Sequence, residues 1–296
     1  MHAAVLMVLA TGLFATMGVT VKLASALYGT GEIVFYRGLV SALLMLVLAR
    51  SRRCSLRTAV PAMHFWRSAS GVCALLLWFY AISQLPLATA VTLNYMSSVW
   101  MALFLLGGAV LMGASRVDGR LVAAVMLGFA GVVLVLRPTL DHAQLWAGVT
   151  GLLSGMLSAM AYLQVTALGR AGEPELRVVF YFSLGAMVAG MAVALVGGPL
   201  RAHTAYGLGL LVATGALGAV AQLMMTRAYA IGRTLTNASL QYLGIVYSLG
   251  YGVWLFDDPV KPMALAGMAL IIVAGLGATL LRSQRAPASD GPPTES

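Results

Sequence analysis

The sequence predicts an all-α integral membrane protein, with ten transmembrane helices arranged as two inverted five-helix repeats. Three observations lead there. The chain is 60% hydrophobic and only 9% charged over 296 residues, with a mean hydropathy of +0.92; a soluble domain carries about 25% charged residues. Ten apolar runs are long enough to cross a bilayer core, for which about 20 residues suffice. Finally, the chain repeats itself half a length later. Phe79-Tyr80-Ala81-Ile82 followed by Asn94-Tyr95-Met96 returns as Ala228-Tyr229-Ala230-Ile231 followed by Gln241-Tyr242-Leu243. Upstream, Val34-Phe35-Tyr36-Arg37-Gly38-Leu39 returns as Val179-Phe180-Tyr181-Phe182-Ser183-Leu184.

Each span has its own signals. Span 1 (4–24) ends on Lys22 and lacks the basic start of a signal peptide, so it belongs to the mature chain. Span 2 (32–49) opens at Glu32 and carries Arg37. Span 3 (65–83) lies between Pro61 and Pro86, and span 4 (87–112) carries Asn94 and Ser98 one turn apart. Span 5 (120–136) is almost wholly apolar and stops at Arg137-Pro138. Span 6 (145–168) holds Gly151, Gly155 and Ala159, a small-residue stripe suited to close helix approach. Span 7 (177–197) is bracketed by Pro174 and Pro199, and span 8 (205–230) carries Arg227 near its end. Span 9 (235–256) carries Asn237 and Gln241 one turn apart and ends at Asp257-Asp258. Span 10 (263–281) follows Pro262 and is again nearly all apolar. All ten prolines fall at span ends or outside, as hydrocarbon requires of a residue without a backbone donor, and no proline-broken helix is expected. Residues 1–138 form the first repeat, 139–285 the second, and 286–296 a disordered tail.

The net charge of +9 follows from topology. With the N-terminus in the cytoplasm, Arg50, Arg52, Arg53, Arg57, Arg67, Arg116, Arg120, Arg170, Arg177, Arg233, Arg282 and Arg285 fall inside. Only Arg137, Arg201 and Lys261 fall outside, while Lys22, Arg37 and Arg227 sit within span ends. This asymmetry places both termini in the cytoplasm of an inner-membrane protein. An odd number of spans per half makes the second half enter from the opposite side, so the repeats are inverted.

The chain resembles ten-span transporters of the drug/metabolite transporter superfamily, EamA type, over roughly residues 4–282. The resemblance rests on Lys22, Phe35-Tyr36-Arg37-Gly38, Trp78-Phe79-Tyr80-Ala81, Leu85-Pro86-Leu87-Ala88-Thr89-Ala90 and Gly128-Phe129-Ala130-Gly131-Val132 with Arg137-Pro138. In the second half it rests on Phe180-Tyr181-Phe182-Ser183, the stretch from Gln222 to Tyr229, and Ala274-Gly275. It implies a carrier of small organic metabolites: amino acids and derivatives, nucleoside-like cofactors or vitamins. The chain departs from the pattern twice. Ser97-Ser98 replaces a proline that kinks the fourth span in other members, which removes that cause of a kink. The Gly-Glu ending spans 4 and 9 reads Gly113-Ala114 and Asp257-Asp258 here, so a gating acid carries over only to Asp258.

Polar groups inside spans mark the candidate site, because each costs free energy in lipid unless it has a partner or meets water. Asn94 and Gln241 hold equivalent repeat positions, each about 10 Å deep at 1.5 Å per residue but from opposite surfaces. With Ser98 and Asn237 they make two polar stripes, suited to binding a polar substrate or to holding helices together. The recurrent Tyr80, Tyr95, Tyr229 and Tyr242 offer apolar bodies with polar tips. Lys22, Arg37 and Arg227 either clamp an anionic or zwitterionic group or snorkel to the interface, with Glu32 a partner for the outer cations. Spans 1, 3, 4, 6, 8 and 9, which hold these groups, are expected to line the cavity; spans 5 and 10 serve as scaffold or homodimer surface. The expected partners are a small anionic, zwitterionic or aromatic metabolite and the lipid bilayer, without nucleic acid. Cys54 and Cys73 offer no disulfide framework or metal spacing, no cofactor is indicated, and no catalytic constellation is present. A channel-like facilitator and an efflux carrier for amphipathic drugs are the rival readings.

Overall fold

A computed structural model describes residues 2–111, 119–136, 142–232, 237 and 240–283. The expected tail and Gly113-Ala114 lie outside these residues. All regular structure described is helical: α1 (Ala3–Ser25), α2 (Thr30–Ser51), α3 (Pro61–Gln84), α4 (Leu87–Tyr95), α5 (Ser97–Leu111), α6 (Gly119–Leu136), α7 (His142–Arg170), α8 (Glu175–Val196), α9 (Ala205–Ile231), α10 (Leu243–Phe256) and α11 (Pro262–Ser283). Seven described segments are long and apolar enough to cross a bilayer, α4 and α5 counting as one, and three shorter apolar helices lie in α6, α10 and α11. Prolines sit where predicted: Pro61 and Pro262 open helices, and Pro86 and Pro174 precede them. Large apolar side chains such as Val47, Met126, Val133, Val188 and Val196 point outward, as lipid contact demands.

Helices pair across the two halves rather than within them. The principal contacts join α2 to α8, α3 to α7, α1 to α9, and α6 to α11, with α4 against α10. Replacing every span by its counterpart five spans away leaves this pattern unchanged: α1–α9 becomes α7–α3, and α2–α8 maps onto itself. The closest pair is α2 and α8. A Cβ at Gly38 would lie 2.7 Å from the Ser183 carbonyl oxygen, and one at Gly190 would lie 2.8 Å from Phe35 Cα. Only glycine lets two backbones approach so closely, and such contact replaces the hydrophobic drive that lipid cannot supply. Gly131 and Gly267 form the same kind of seam between α6 and α11.

The fourth span is broken, contrary to the expectation from Ser97-Ser98. The Met96 N–H bonds to Thr92 and Leu93, and helical bonding resumes with Val99 and Trp100 donating to the Met96 carbonyl. The cause is tertiary rather than a proline. The Leu93 and Asn94 carbonyls lie against Gly155, where a Cβ would sit 2.7 and 2.8 Å from their oxygens. Span 9 breaks at the matching point. Gln241 N–H donates to Asn237, then Gly244 and Ile245 donate to Gln241 and Tyr242, three residues back. Short three-residue turns inside helices commonly mark functional sites.

Because Gly190 faces backbone on α2, Gly190→Ala should force α2 and α8 apart. The expected loss is roughly 1–3 kcal/mol, the usual cost of overpacking, read as a lower midpoint of thermal unfolding in detergent. Gly209→Ala, with open space around it, should leave the midpoint unchanged.

Candidate functional site

A cavity lies at the centre of the bundle, between an apolar cluster around Trp78, Leu87 and Met96 and a second around Met7, Leu168 and Met225. It encloses about 60 Å³, room for a few waters, whereas pockets holding metabolites run to roughly 300–1,000 Å³. Polar side chains reach it from both halves: Arg37, Arg67, Asn94 and Tyr95 from the first, Ser158, Tyr162, Gln222 and Gln241 from the second.

The two helix breaks deliver the amides. Asn94 Nδ2 donates to Ser154 Oγ at 2.9 Å and to Ser158 Oγ at 3.2 Å, so α7 fixes its orientation. Gln241 Nε2 donates to the Tyr229 hydroxyl at 3.1 Å, leaving Oε1 without a protein partner. Tyr229 stacks on Tyr162 with ring centroids 5.5 Å apart, which holds that acceptor in place. The break therefore points each amide at the cavity while its neighbouring carbonyls serve other contacts.

Arg37 does not snorkel, and Glu32 is not its partner. Its side chain is 2% exposed and passes over Gly218 of α9, where a Cβ would lie 3.1 Å from Nε. Its guanidinium carbon is 5.2 Å from the centroid of Phe182. Glu32 instead accepts from the backbone N–H groups of Gly29 and Arg201 at the end of the bundle. Arg67, assigned from sequence to a cytoplasmic flank, is in fact a cavity residue. It is 3% exposed, folds over Gly71 and lies 4.5 Å from the same Phe182 ring. Nε and Nη1 of both arginines lack protein hydrogen-bond partners among the described residues. A cation at bilayer depth costs at least about 2.5–3.5 kcal/mol, and the one ring they share, Phe182, recovers only part of that through cation–π attraction.

Other predicted residues lie elsewhere. Tyr80 is 39% exposed and faces outward, although its repeat counterpart Tyr229 is buried. Tyr242 is buried away from the cavity, its hydroxyl against Gly275 of α11. Asn237 donates to the Ala228 carbonyl at 2.6 Å and so closes the turn between spans 8 and 9. Ser98 is buried two residues beyond the Met96 break and does not reach the cavity wall. Arg227 is 54% exposed and pairs with Glu175, so it is a surface ion pair. Spans 2 and 7, not expected to line the cavity, contribute Arg37 and Phe182; α6 and α11 contribute nothing to it. Trp78 and Tyr162 also line the wall.

Lys22 closes one end of the bundle. Its ammonium donates to the Leu85 carbonyl at 3.0 Å and pairs with Asp258 Oδ1 at 3.5 Å. Asp258 Oδ2 accepts from Leu87 N–H at 3.0 Å, capping α4, so one carboxylate joins α1, the α3–α4 turn and the α10–α11 turn. At the other end, where the N-terminus lies, Glu173 does similar work. It accepts from Thr58 and from Arg177 at 3.0 Å, and His64 Nε2 lies 3.0 Å away. Burial pushes the Glu173 carboxyl up, but hydrogen bonds from His64, Arg177 and Thr58 outweigh it and hold the group below its ordinary value of 4.5.

Comparison with known proteins gives consistent matches. The model of the EamA-like transporter family matches residues 1–137. The chain is 34% identical to the pseudopaline exporter of Pseudomonas aeruginosa over 278 residues, covering 91% of this chain and 93% of that protein. It is 29% identical to a riboflavin transporter of Rhizobium johnstonii over 77% of this chain and 74% of the relative. It is 23% identical to an S-adenosylmethionine uptake transporter of Rickettsia bellii over 83% and 82%. A solved crystal structure at 16% identity shares the fold with a TM-score of 0.69, covering 96% of this chain and 99% of that one.

The depressed Glu173 carboxyl makes one pH dependence predictable. A group whose pKa falls on folding stabilises the fold above its unfolded value and loses that contribution as pH drops through its folded value. Glu173→Gln should therefore lower the unfolding midpoint at pH 7.5. The gap to wild type should narrow as pH falls below 4.5. Thermal unfolding across a pH series reads both.

Proposed function

Because the chain belongs to the EamA-like transporters of the drug/metabolite transporter superfamily, and so is a membrane transporter of small molecules rather than an enzyme, we propose that it works by alternating access around the central cavity. The proposal has residues 1–138 and 139–285 as inverted repeats in an inner membrane, with both termini cytoplasmic. The observation that carries it is the pair of helix breaks. At equivalent positions in the two halves, a span interrupts itself beside an amide, and both amides face one cavity. Broken helices at a repeat interface near mid-membrane are how carriers expose polar groups to a substrate.

Alternation needs a closure at each end, and the two ends carry different ones. The Lys22–Asp258 ion pair seals the periplasmic side, by the charge-based topology, while the cytoplasmic side is sealed by the apolar cluster of Leu6, Val165, Leu168 and Tyr229. The relatives include both an exporter and uptake transporters, so the family leaves direction open. The substrate class supported is a small polar organic metabolite. It meets amide groups on two sides and aromatic rings, Trp78, Tyr95 and Tyr162, around its body.

In proteoliposomes the wild type should show saturable flux that is accelerated by substrate on the far side. Asn94→Ala and Gln241→Ala should each lower flux at subsaturating substrate by about tenfold, the equivalent of one lost strong hydrogen bond of about 1.4 kcal/mol. Tyr80→Ala, on the outer surface, should leave it intact. Flux that rises linearly without saturation, or amide variants that transport normally, would overturn the reading.

A further inference from the structure

We infer that the cavity is built for an organic dianion, whose two negative charges meet Arg37 and Arg67 on either side of Phe182. This inference deepens the transporter reading and rests on it. Three observations bear on the charge of the ligand.

The fully buried side-chain atoms of the cavity-lining residues that lack a protein partner are mostly donors. Nε and Nη1 of both arginines, together with the Trp78 indole nitrogen, can only donate, and none finds a protein acceptor. A ligand completing them must be rich in acceptor oxygens. Carboxylates and phosphates, each offering two or more oxygens to a planar guanidinium, fit that demand better than an amine or a neutral ring.

No counter-charge is at hand. Among the described acids, Glu32 serves Gly29 and Arg201, Glu173 serves Thr58, His64 and Arg177, Glu175 pairs with Arg227, and Asp258 pairs with Lys22. Asp257 sits in the left-handed turn after α10, at the surface end of the bundle. Two cations beside one ring, both within about 5 Å of its centroid, therefore await two negative charges. A monoanion would leave one guanidinium uncompensated in a medium where that is costly, and a cation would add repulsion.

Finally, the space around the pair is shaped for them. Gly218 makes room for the Arg37 side chain and Gly71 for the Arg67 guanidinium, so neither arginine reaches the cavity by default of packing. Gln241 Oε1, a buried acceptor without a protein partner, adds a place for one ligand donor such as a hydroxyl.

The test uses the purified full-length protein and its unfolding midpoint in detergent. Succinate, terephthalate and phenyl phosphate serve as dianion probes, and succinamate, terephthalamate and methyl phenyl phosphate as their monoanionic counterparts; comparing carboxylate with phosphate series separates the two acid types. At millimolar concentration at least one dianion should raise the midpoint by a few degrees, at least twice the shift of its counterpart. Arg37→Gln and Arg67→Gln should each abolish that difference while raising the midpoint of the ligand-free protein, because each removes an uncompensated buried charge. Arg67→Lys, which keeps the charge without the fork, should retain part of the shift. If no dianion exceeds its counterpart, or the preference survives in both glutamine variants, the inference is wrong. The carrier reading fails separately. Saturable flux of a neutral or cationic metabolite, unaltered in the glutamine variants, sinks the dianion and keeps the carrier. A dianion that binds but shows no saturable flux sinks the carrier and keeps the site.

Discussion

The contact on which this architecture depends is the backbone seam between α2 and α8. Gly31, Gly38 and Gly190 bring the two helices to a separation that no side chain would permit. Everything placed by those helices follows from it. Arg37 and Phe182, at corresponding positions of the two halves, are carried to the cavity and meet there. At the two surfaces, the same seam sets up a matched pair of ties. Tyr36 reaches His203 in the loop after α8, and Tyr181, its counterpart 145 residues later, reaches the Leu56 carbonyl in the loop after α2. Glu32 and Arg177, also counterparts, hold Arg201 and Ser55 in those same two loops. The seam is thus fastened at both ends by equivalent side chains.

The sequence was most legible where lipid imposes the rules. Span positions, proline placement and the separation of α6 and α11 from the cavity all follow from the need to satisfy backbone groups without water. It was less legible where a neighbouring helix decides the outcome. The Met96 break is set by Gly155 on another helix, so Ser97-Ser98 carried no sign of it. Arg67 lay close enough to a loop to pass for a topology signal, although an arginine one turn before a glycine in the same helix was a usable hint. The repeat identified Asn94 and Gln241 through their equivalence, and both line the cavity. The same equivalence misled for Tyr80 and Tyr242, because a repeat preserves position on a helix and not the surroundings of that position.

The polar chemistry divides cleanly by depth. Carboxylates work at the two ends, where Asp258 gathers two groups and Glu173 three, and water can relieve imbalance. The interior holds donors, amides and rings but no described acid. Ends and middle therefore respond to different agents: the ends to pH and ionic strength, the middle to whatever occupies it.

The meeting of Arg37 with Phe182 bears on how such a protein came to exist as one chain. If two identical five-helix units packed in opposite orientations, the residues at the axis would be copies of each other. Two arginines would then confront each other, or two phenylalanines. A cation facing a ring is available only when the two units differ in sequence, as two halves of one chain are free to do. Here Arg37 and Phe182, 145 residues apart at matching places in the two halves, form such an unlike pair, which no pairing of identical units could offer.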